Sequence, residues 1–571
     1  MTSQASIRLY LNQAYLLGLM MMAVGLTLSP FLMGMSQFWL VLVWIVDGIV
    51  GNRDEKVVPS EASVKGNASH STKSICFHHD FRSKLLRFWH NKAAVLLVAF
   101  CLMHVVGLLY TTDYPYAWRD LRVKLTILLL PRVLSSMEPL DRKRFDLVML
   151  VYVFSVFVAT LFSFVAYLRH DFEDVREISR FISHIRFCLH IVFSMAVILY
   201  YLVRERVSRG KGAPAFGMKV AVNQFLMWFL LFWFAYQIYI FESLSGYVTL
   251  AVVVVVSAAY AFLQWKKGRG WRIAVGVFSV VALIVAAVVL VRFAKPLLKV
   301  EPVDFDVLEK KTALGNDYWH DTVHNPVEDG KYVGLYYCRK ELAETWPQRS
   351  ALPFEGDAFN GESLEATLAR YLTSKDLRKD AAGVMSLTDE DIHNIEQGVA
   401  NYNNWAHPGL RARLSATLFE YGIYRRYGNP NGGSLSQRIE FVRASFHIIR
   451  QHPWFGVGTG DVSLAFAQAY DEMQSPLRDE FRFRAHNQYL SIAVAFGLVG
   501  LAFFLLVLLY PWFSSRKAYT YLYIMFFGIM LLSMFPEDTF ETQAGASMFA
   551  FFESLLLFAS PNFDEKNCVK T

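Results

Sequence analysis

The sequence has no G-x-S-x-G elbow, no Walker loop, no H-E-x-x-H and no dinucleotide fingerprint. That removes the nucleotide-fed reactions those motifs serve. Cysteine is scarce: five in 571 residues, at Cys76, Cys101, Cys188, Cys338 and Cys568, with neither metal-ligand spacing nor a disulfide framework. Charge is scarce too, at 18% of residues. The net charge of +7 says little about nucleic acid, because many Lys and Arg sit in short loops between apolar segments. There is no low-complexity tract and no cleavable signal peptide, since the first apolar run, from about Leu11, is long and continues into a second. No internal repeat is visible. This counts against a transporter or lipid flippase, because transporter folds tend to carry repeats with a binding site near the midplane.

What is abundant is apolar surface. Apolar residues make up 54% of the chain, with 47 Phe and 13 Trp, and mean hydropathy is +0.30. This is the composition of a polytopic membrane protein. Apolar runs occupy about 11–31, 32–50, 93–110, 121–137, 146–167, 185–203, 220–240, 246–264, 272–294, 487–510, 518–535 and 543–559. The expected fold is all-α, with about twelve transmembrane helices and one large, mainly helical external (periplasmic) loop domain before the last three. The expected divisions are 1–294 for helices one to nine, 295–485 for the loop domain, and 486–571 for the last three helices and a cytoplasmic tail.

Loop charge orients the chain. With the N-terminus inside, the inner loops hold Arg142, Lys143 and Arg144; Arg204, Arg206, Arg209 and Lys211; Lys266, Lys267 and Arg269; and Arg516 and Lys517. The short outer loops are acidic or mixed, as in Pro536-Glu537-Asp538-Thr539-Phe540-Glu541. Both termini are thus expected to be cytoplasmic, in a multi-pass membrane protein. Within 295–485, Lys331 to Arg339 reads as a strand, and Ser386-Leu-Thr-Asp-Glu starts a capped helix through Val399. Ser436 to Gln451 reads as an amphipathic helix with Ile439, Val442, Phe446 and Ile449 on one side. Gly456-Val-Gly-Thr-Gly460 follows, with Asp461 as N-cap of the next helix. That loop could offer N–H groups to an anion or form a tight helix-to-helix turn.

Candidate chemistry sits where the loop domain meets the next apolar run, AHNQYLSIAVAFGLVG, Ala485 to Gly500. On a continuous helix His486 and Gly497 would share a face, about 16 Å apart, with Gly500 close to it. The glycines would admit a close helix. Basic residues gather at outer helix ends: Arg119 and Arg122; Arg180, His184 and Arg186; Arg438 and Arg450; Arg482 and Arg484. Arginine presents a planar fork suited to phosphate oxygens. Head-group anchoring explains most interfacial arginines. Arg186 departs from it if its helix begins near Arg180, because the charge then lies more than a turn inside an apolar helix.

HNQYLSIAVAFGLVG resembles the signature of the O-antigen ligase family: His, then Asn, Ser or Gln, nine residues, Gly, two residues, Gly. His486, Asn487, Gly497 and Gly500 fit every fixed position. SQRIEFVRASFHIIRQHPWFGVGTGD resembles the segment that precedes this signature in the O-antigen ligase and polymerase superfamily. The stretch from Asp317 to Asn401, with SHIRF and FPEDTFETQAG, is similar to the branch found in Bacteroidetes. One position departs. Where the family carries an Arg in a Ser-Arg-Gly context, this chain has Ser245 before Gly246, and Arg186 is the candidate to replace it.

The resemblance implies transfer of an undecaprenyl-diphosphate-linked glycan to a sugar hydroxyl on lipid A-core or another surface saccharide, with inversion. It implies His486 as the base and Arg186 as the partner of the leaving diphosphate. His184, Arg180, Arg119, Arg122, Arg438, Arg482, Arg484 and Asn487 are candidate substrate contacts. Glu537, Asp538 and Glu242 are reserve bases. No cofactor, metal or nucleic acid is expected, and a monomer is. An O-antigen polymerase and a protein O-oligosaccharyltransferase share the donor and remain open.

Orientation is directly testable. A thiol introduced at Gly356 should react with an impermeant reagent applied from outside, and one at Gly210 should not. The opposite labelling pattern reverses the orientation.

Overall fold

A computed structural model describes residues 3–55, 80–169, 175–208, 220–265 and 299–561, with scattered positions between 277 and 295. Most of the apolar run at 272–294 lies outside the described residues, as do Arg209, Lys211, Lys266, Lys267 and Arg269. Among the described residues, seven helices are long and apolar enough to cross a membrane: Ser6–Leu28, Pro30–Val50, Lys92–Tyr110, Arg142–Leu168, His184–Arg204, Gln224–Phe241 and Gln488–Ser514. Leu244–Tyr260, Tyr521–Ser533 and Gln543–Ala559 are shorter apolar helices. The run at 121–137 lies within a further helix, Tyr114–Ser136, which carries Arg119, Asp120, Arg122, Lys124 and Arg132. The protein is thus an all-α membrane protein.

Side-chain caps set where several of these helices begin. Asp113 accepts from the Tyr116 amide, Asp141 from Arg144, Asn487 from Leu490 and Thr542 from Gly545. Each cap satisfies a backbone donor that the first turn leaves free.

Two apolar cores form. The larger gathers the long helices and also Phe441, Ala444, Ile448, Val462, Phe466 and Tyr470. The smaller centres on Leu342, Trp346, Leu368, Tyr371, Leu372, Ile392 and Ile395. The segment just before the signature therefore packs with the long helices, not with the smaller core.

Four local expectations are corrected. The strand expected at Lys331 to Arg339 shrinks to Lys331–Tyr332, antiparallel to Val327–Glu328. The helix after Ser386 begins at Asp389 and ends at Glu396, because Thr388 and Asp391 form a reciprocal capping box. In the Ser434–Gln451 helix the buried residues are Ser436, Glu440, Phe441, Ala444, Ser445 and Ile448, while Phe446 is half exposed. Ile439, Val442, Phe446 and Ile449 are thus not its inner face. Asp461 occupies the N-cap position but makes no side-chain cap. Its carboxylate instead accepts from the Thr112 and Asp113 amides and the Thr111 hydroxyl, at 2.8–3.0 Å. Burial alone would raise that carboxyl; the amide and hydroxyl donors win and hold it below the usual range.

The largest correction concerns the signature helix. His486 is not on it. Asn487 caps the helix, which starts at Gln488, and His486 stands outside at φ 45°. The helix also breaks at Gly497, with φ 65° and ψ −166°. A shared helical face for His486 and Gly497 is therefore excluded.

The break is filled by the turn before the preceding helix. The Val457 and Gly458 amides donate to the Val494 and Ala495 carbonyls at 3.0 and 2.9 Å. The Leu498 and Val499 amides donate to the Pro453 and Trp454 carbonyls at 2.8 and 3.3 Å. Four backbone groups orphaned by the break thus find partners, as buried backbone must. A Cβ on Gly497 would lie 2.2 Å from the Trp454 carbonyl carbon, and one on Gly456 2.4 Å from the Val494 oxygen. Gly500 is buried one turn on, beside Phe496 and Met103. With the Gly456 amide donating to the His452 carbonyl and the Gly460 amide to the Thr111 hydroxyl, four amides of the glycine loop are committed within the protein. That favours the tight turn over the anion loop.

Gly497→Ala should therefore lower the melting temperature in detergent, with the positive φ alone costing about 1–3 kcal/mol. Gly528 lies in a helix with no atom within 4 Å of an added Cβ. Gly528→Ala should leave the melting temperature unchanged or slightly raised. Equal behaviour of the two variants would remove the close approach as a constraint.

Candidate functional site

The loop that joins Tyr521–Ser533 to Gln543–Ser554 holds the site together. Its Asp538 is buried. One carboxylate oxygen accepts from the His486 amide at 3.2 Å, and the other from the Asn487 amide at 2.9 Å and the Ser491 hydroxyl at 2.6 Å. Asp538 thus fixes the backbone that carries His486 at its left-handed φ, a conformation that costs energy for a residue with a Cβ. The Asn487 amide group donates to the Phe535 carbonyl at 3.0 Å. Gln488 ties the same loop three times: its backbone amide donates to the Met534 carbonyl, its side-chain oxygen accepts from the Phe540 amide, and its side-chain nitrogen donates to Glu541.

The His486 ring lies 5.4 Å from the Phe441 ring and 6.1 Å from Phe483. It is half-buried. Among the described residues, no side chain or backbone group hydrogen-bonds its ring nitrogens.

Next to Asp538 is Glu537. Its carboxylate sits between two guanidiniums, 3.4 Å from Arg186 Nη2 and 3.6 Å from Arg438 Nη2. Two corrections attach to Arg186. Its helix begins at His184, not near Arg180, so Arg186 is in the first turn. Its charge is also paired. Its buried Nε has no hydrogen-bond partner among the described residues. Arg438 lies one turn before Phe441 on the same helix, so that helix meets both His486 and Glu537.

A second charged cluster lies beside the first. Lys124 pairs with Asp120 and, at 2.5 Å, with Glu541. Arg484 donates to the Tyr116 hydroxyl at 2.6 Å and stands 3.4 Å from Glu541. Lys124 is fully buried, and Asp120 and Glu541 nearly so. Burial would push the Glu541 carboxyl up, but Lys124 and Arg484 hold it well below the usual carboxylate range. Burial would also weaken the Arg484 charge; Glu541 and Tyr116 reverse this and raise its pKa. His104, Asp120, Arg484, Ser491 and Glu541 line a small cleft at this second cluster.

The remaining candidates scatter. Arg482 pairs outward with Asp471 and Asp479. Arg119 is exposed over the Tyr116 ring, and Arg122 is exposed. Arg180 is exposed ahead of the Arg186 helix. His184 Nε2 lies 2.9 Å from the Phe241 carbonyl oxygen, which binds the two helix ends together. Ser245 sits at the start of the Leu244–Trp265 helix, 3.0 Å from the Ser243 hydroxyl. That helix approaches the Arg186 helix closely: a Cβ on Gly246 would lie 3.3 Å from the Cys188 Cβ.

Sequence reasoning missed the second cluster. Its signal was a Lys124 four residues after Asp120 inside an apolar run, where charge is costly unless paired. Among the described residues, no three His, Cys, Asp or Glu gather as a metal site would.

Fold and site together define a multi-pass α-helical membrane protein with paired guanidiniums, carboxylates and the half-buried His486 imidazole at the ends of its helices. Residues 385–505 match the family model described as O-Antigen ligase. The matched stretch contains the whole His486 to Gly500 signature. This likeness supports a glycosyltransferase of the ligase or polymerase type, acting on a lipid-linked glycan and a saccharide acceptor in general. No curated protein matches the chain.

Lys124→Met would leave Asp120 without its cation and Glu541 with only Arg484. Removing one partner of a buried pair costs about 3–5 kcal/mol, so the detergent-solubilised variant should melt well below the parent. An unchanged melting curve would show that the cluster contributes nothing to stability.

Proposed function

We propose that the protein transfers a glycan from undecaprenyl diphosphate to a sugar hydroxyl of lipid A-core or another surface saccharide, at the external face of the bacterial inner membrane. The observation that carries this reading is the Ser434–Gln451 helix: Phe441 lies against the His486 ring, while Arg438 faces the Glu537 that also holds Arg186. A group able to take a proton and two forks able to hold phosphate oxygens therefore share one region.

In the reaction, the acceptor hydroxyl passes its proton to His486 as its oxygen attacks the anomeric carbon. The bond from that carbon to the diphosphate oxygen breaks, and the diphosphate leaves with the electron pair. Direct displacement inverts the centre. Arg186 and Arg438 meet the charge that grows on the leaving oxygen, a role that Mg²⁺ fills elsewhere, so the transfer is metal-independent. The imidazolium then returns its proton to water. The close approach of the Ser245 helix to the Arg186 helix supports Arg186 as the stand-in for the family arginine. A polymerase would share every step and differ only in its acceptor.

Deleting the gene should abolish capped lipid A while full-length lipid-linked chains accumulate; shortened chains would instead indicate a polymerase. His486→Ala should leave a folded, inserted protein with transfer reduced about 10²- to 10⁴-fold. His486→Gln separates the roles: restored transfer means that the residue orients the hydroxyl and does not deprotonate it. Arg186→Lys should retain little activity, because a point charge does not reproduce the fork. Full activity in that variant makes Arg186 an anchor.

A further inference from the structure

We infer that Glu537 is a built-in competitor for the diphosphate site, which it occupies in the empty protein and reclaims when the product leaves. The inference rests on the reading of Arg186 and Arg438 as the diphosphate grip, and goes beyond it by giving the carboxylate between them a role in turnover.

The geometry carries the argument. Glu537 is largely enclosed, with its side chain 12% exposed, and its two carboxylate oxygens each face a different guanidinium. At 3.4 and 3.6 Å both pairs are longer than the 2.7–2.9 Å of a close charge-assisted bond. Among the described residues neither guanidinium is saturated, and the buried Arg186 Nε has no hydrogen-bond partner. A carboxylate brings two oxygens to this gap. A diphosphate brings more oxygens and more charge, so it fills the two forks better and displaces Glu537. The two anions cannot share the gap, because like charges at such range repel.

The product explains why a competitor is useful. Transfer cuts the glycan from the donor and leaves a terminal phosphate with an additional ionisable oxygen. The product is therefore at least as anionic as the substrate. Two bare arginines would hold it at least as tightly as the donor, and turnover would stall on release. Glu537, anchored beside Asp538, stays close enough to take back its pairs as the diphosphate departs. Its neighbour Asp538 fixes the His486 backbone, so movement of Glu537 is confined to its own side chain.

The test uses the full-length protein in detergent, with undecaprenyl diphosphate as the ligand and inorganic pyrophosphate as a second probe. Glu537→Gln keeps the shape and removes the charge. It should bind both probes about five- to tenfold more tightly than the parent. With lipid-linked glycan and acceptor supplied, its KM for the donor should fall together with kcat, because product release becomes slower. Glu537→Asp, which keeps the charge, should stay near the parent in affinity. Should the Gln variant fail to fold, Glu537→Ser removes the same charge and is read in the same way. Unchanged or weaker binding in the uncharged variant overturns the inference, and makes Glu537 a brace for the two arginines. Tightening confined to the lipid probe assigns the effect to the lipid chain and also overturns it. If neither the parent nor the variants bind either probe, the diphosphate site itself falls and takes the inference with it.

Discussion

The structure depends on a helix that is broken on purpose and repaired from outside. Between Phe496 and Leu498 the signature helix departs from helical geometry at a single glycine, and the Pro453–Gly458 turn supplies the missing backbone partners. Unpaired amides and carbonyls in an apolar setting cost several kcal/mol each, so turn and break require one another. The turn is in turn tied to the 111–113 loop through Asp461 and Thr111. This chain of backbone contacts fixes the relative height of the Ser434–Gln451 helix and the signature helix. Arg438 and Phe441 reach Glu537 and His486 only because that height is fixed.

A second constraint is electrostatic. Acidic residues of the 534–542 loop meet cations from four separate stretches: Lys124, Arg186, Arg438 and Arg484. Asp538 alone spends its oxygens on hydrogen-bond donors near His486. One short loop therefore positions the imidazole, spaces two guanidiniums and closes a buried ion network. Such networks hold only when every member is satisfied, which gives this loop little freedom to drift.

Much of the architecture was legible in the sequence because a membrane imposes a simple rule: long apolar runs become helices. The capped helix start after Ser386 was readable for a similar reason, being local, although the cap itself is Thr388. What failed was the assumption that an apolar run is one continuous helix. His486 and Gly497 satisfy an eleven-residue spacing, yet Asn487 starts the helix after His486, and Gly497 ends its first part. The spacing describes a turn-docking device, not a face. Distant pairings were equally hidden. Nothing near Lys124 announces Glu541, and nothing near Arg186 announces Glu537, since each partner lies hundreds of residues away. The sequence did isolate the PEDTFE loop and named Glu537 and Asp538 as reserve bases. The structure gives their carboxylates hydrogen-bond and ion-pair partners that local pattern could not supply.

The Tyr521–Ser533 helix has a consequence of its own. Its 13 residues rise about 20 Å, against roughly 30 Å of hydrocarbon in an ordinary bilayer. The loop that it carries is therefore sunk relative to the ends of its longer neighbours. No residue of that helix is exposed, so protein and not lipid surrounds the short span. A lipid-borne head group that reached Glu537 would therefore lie inward of the level at which head groups ordinarily lie.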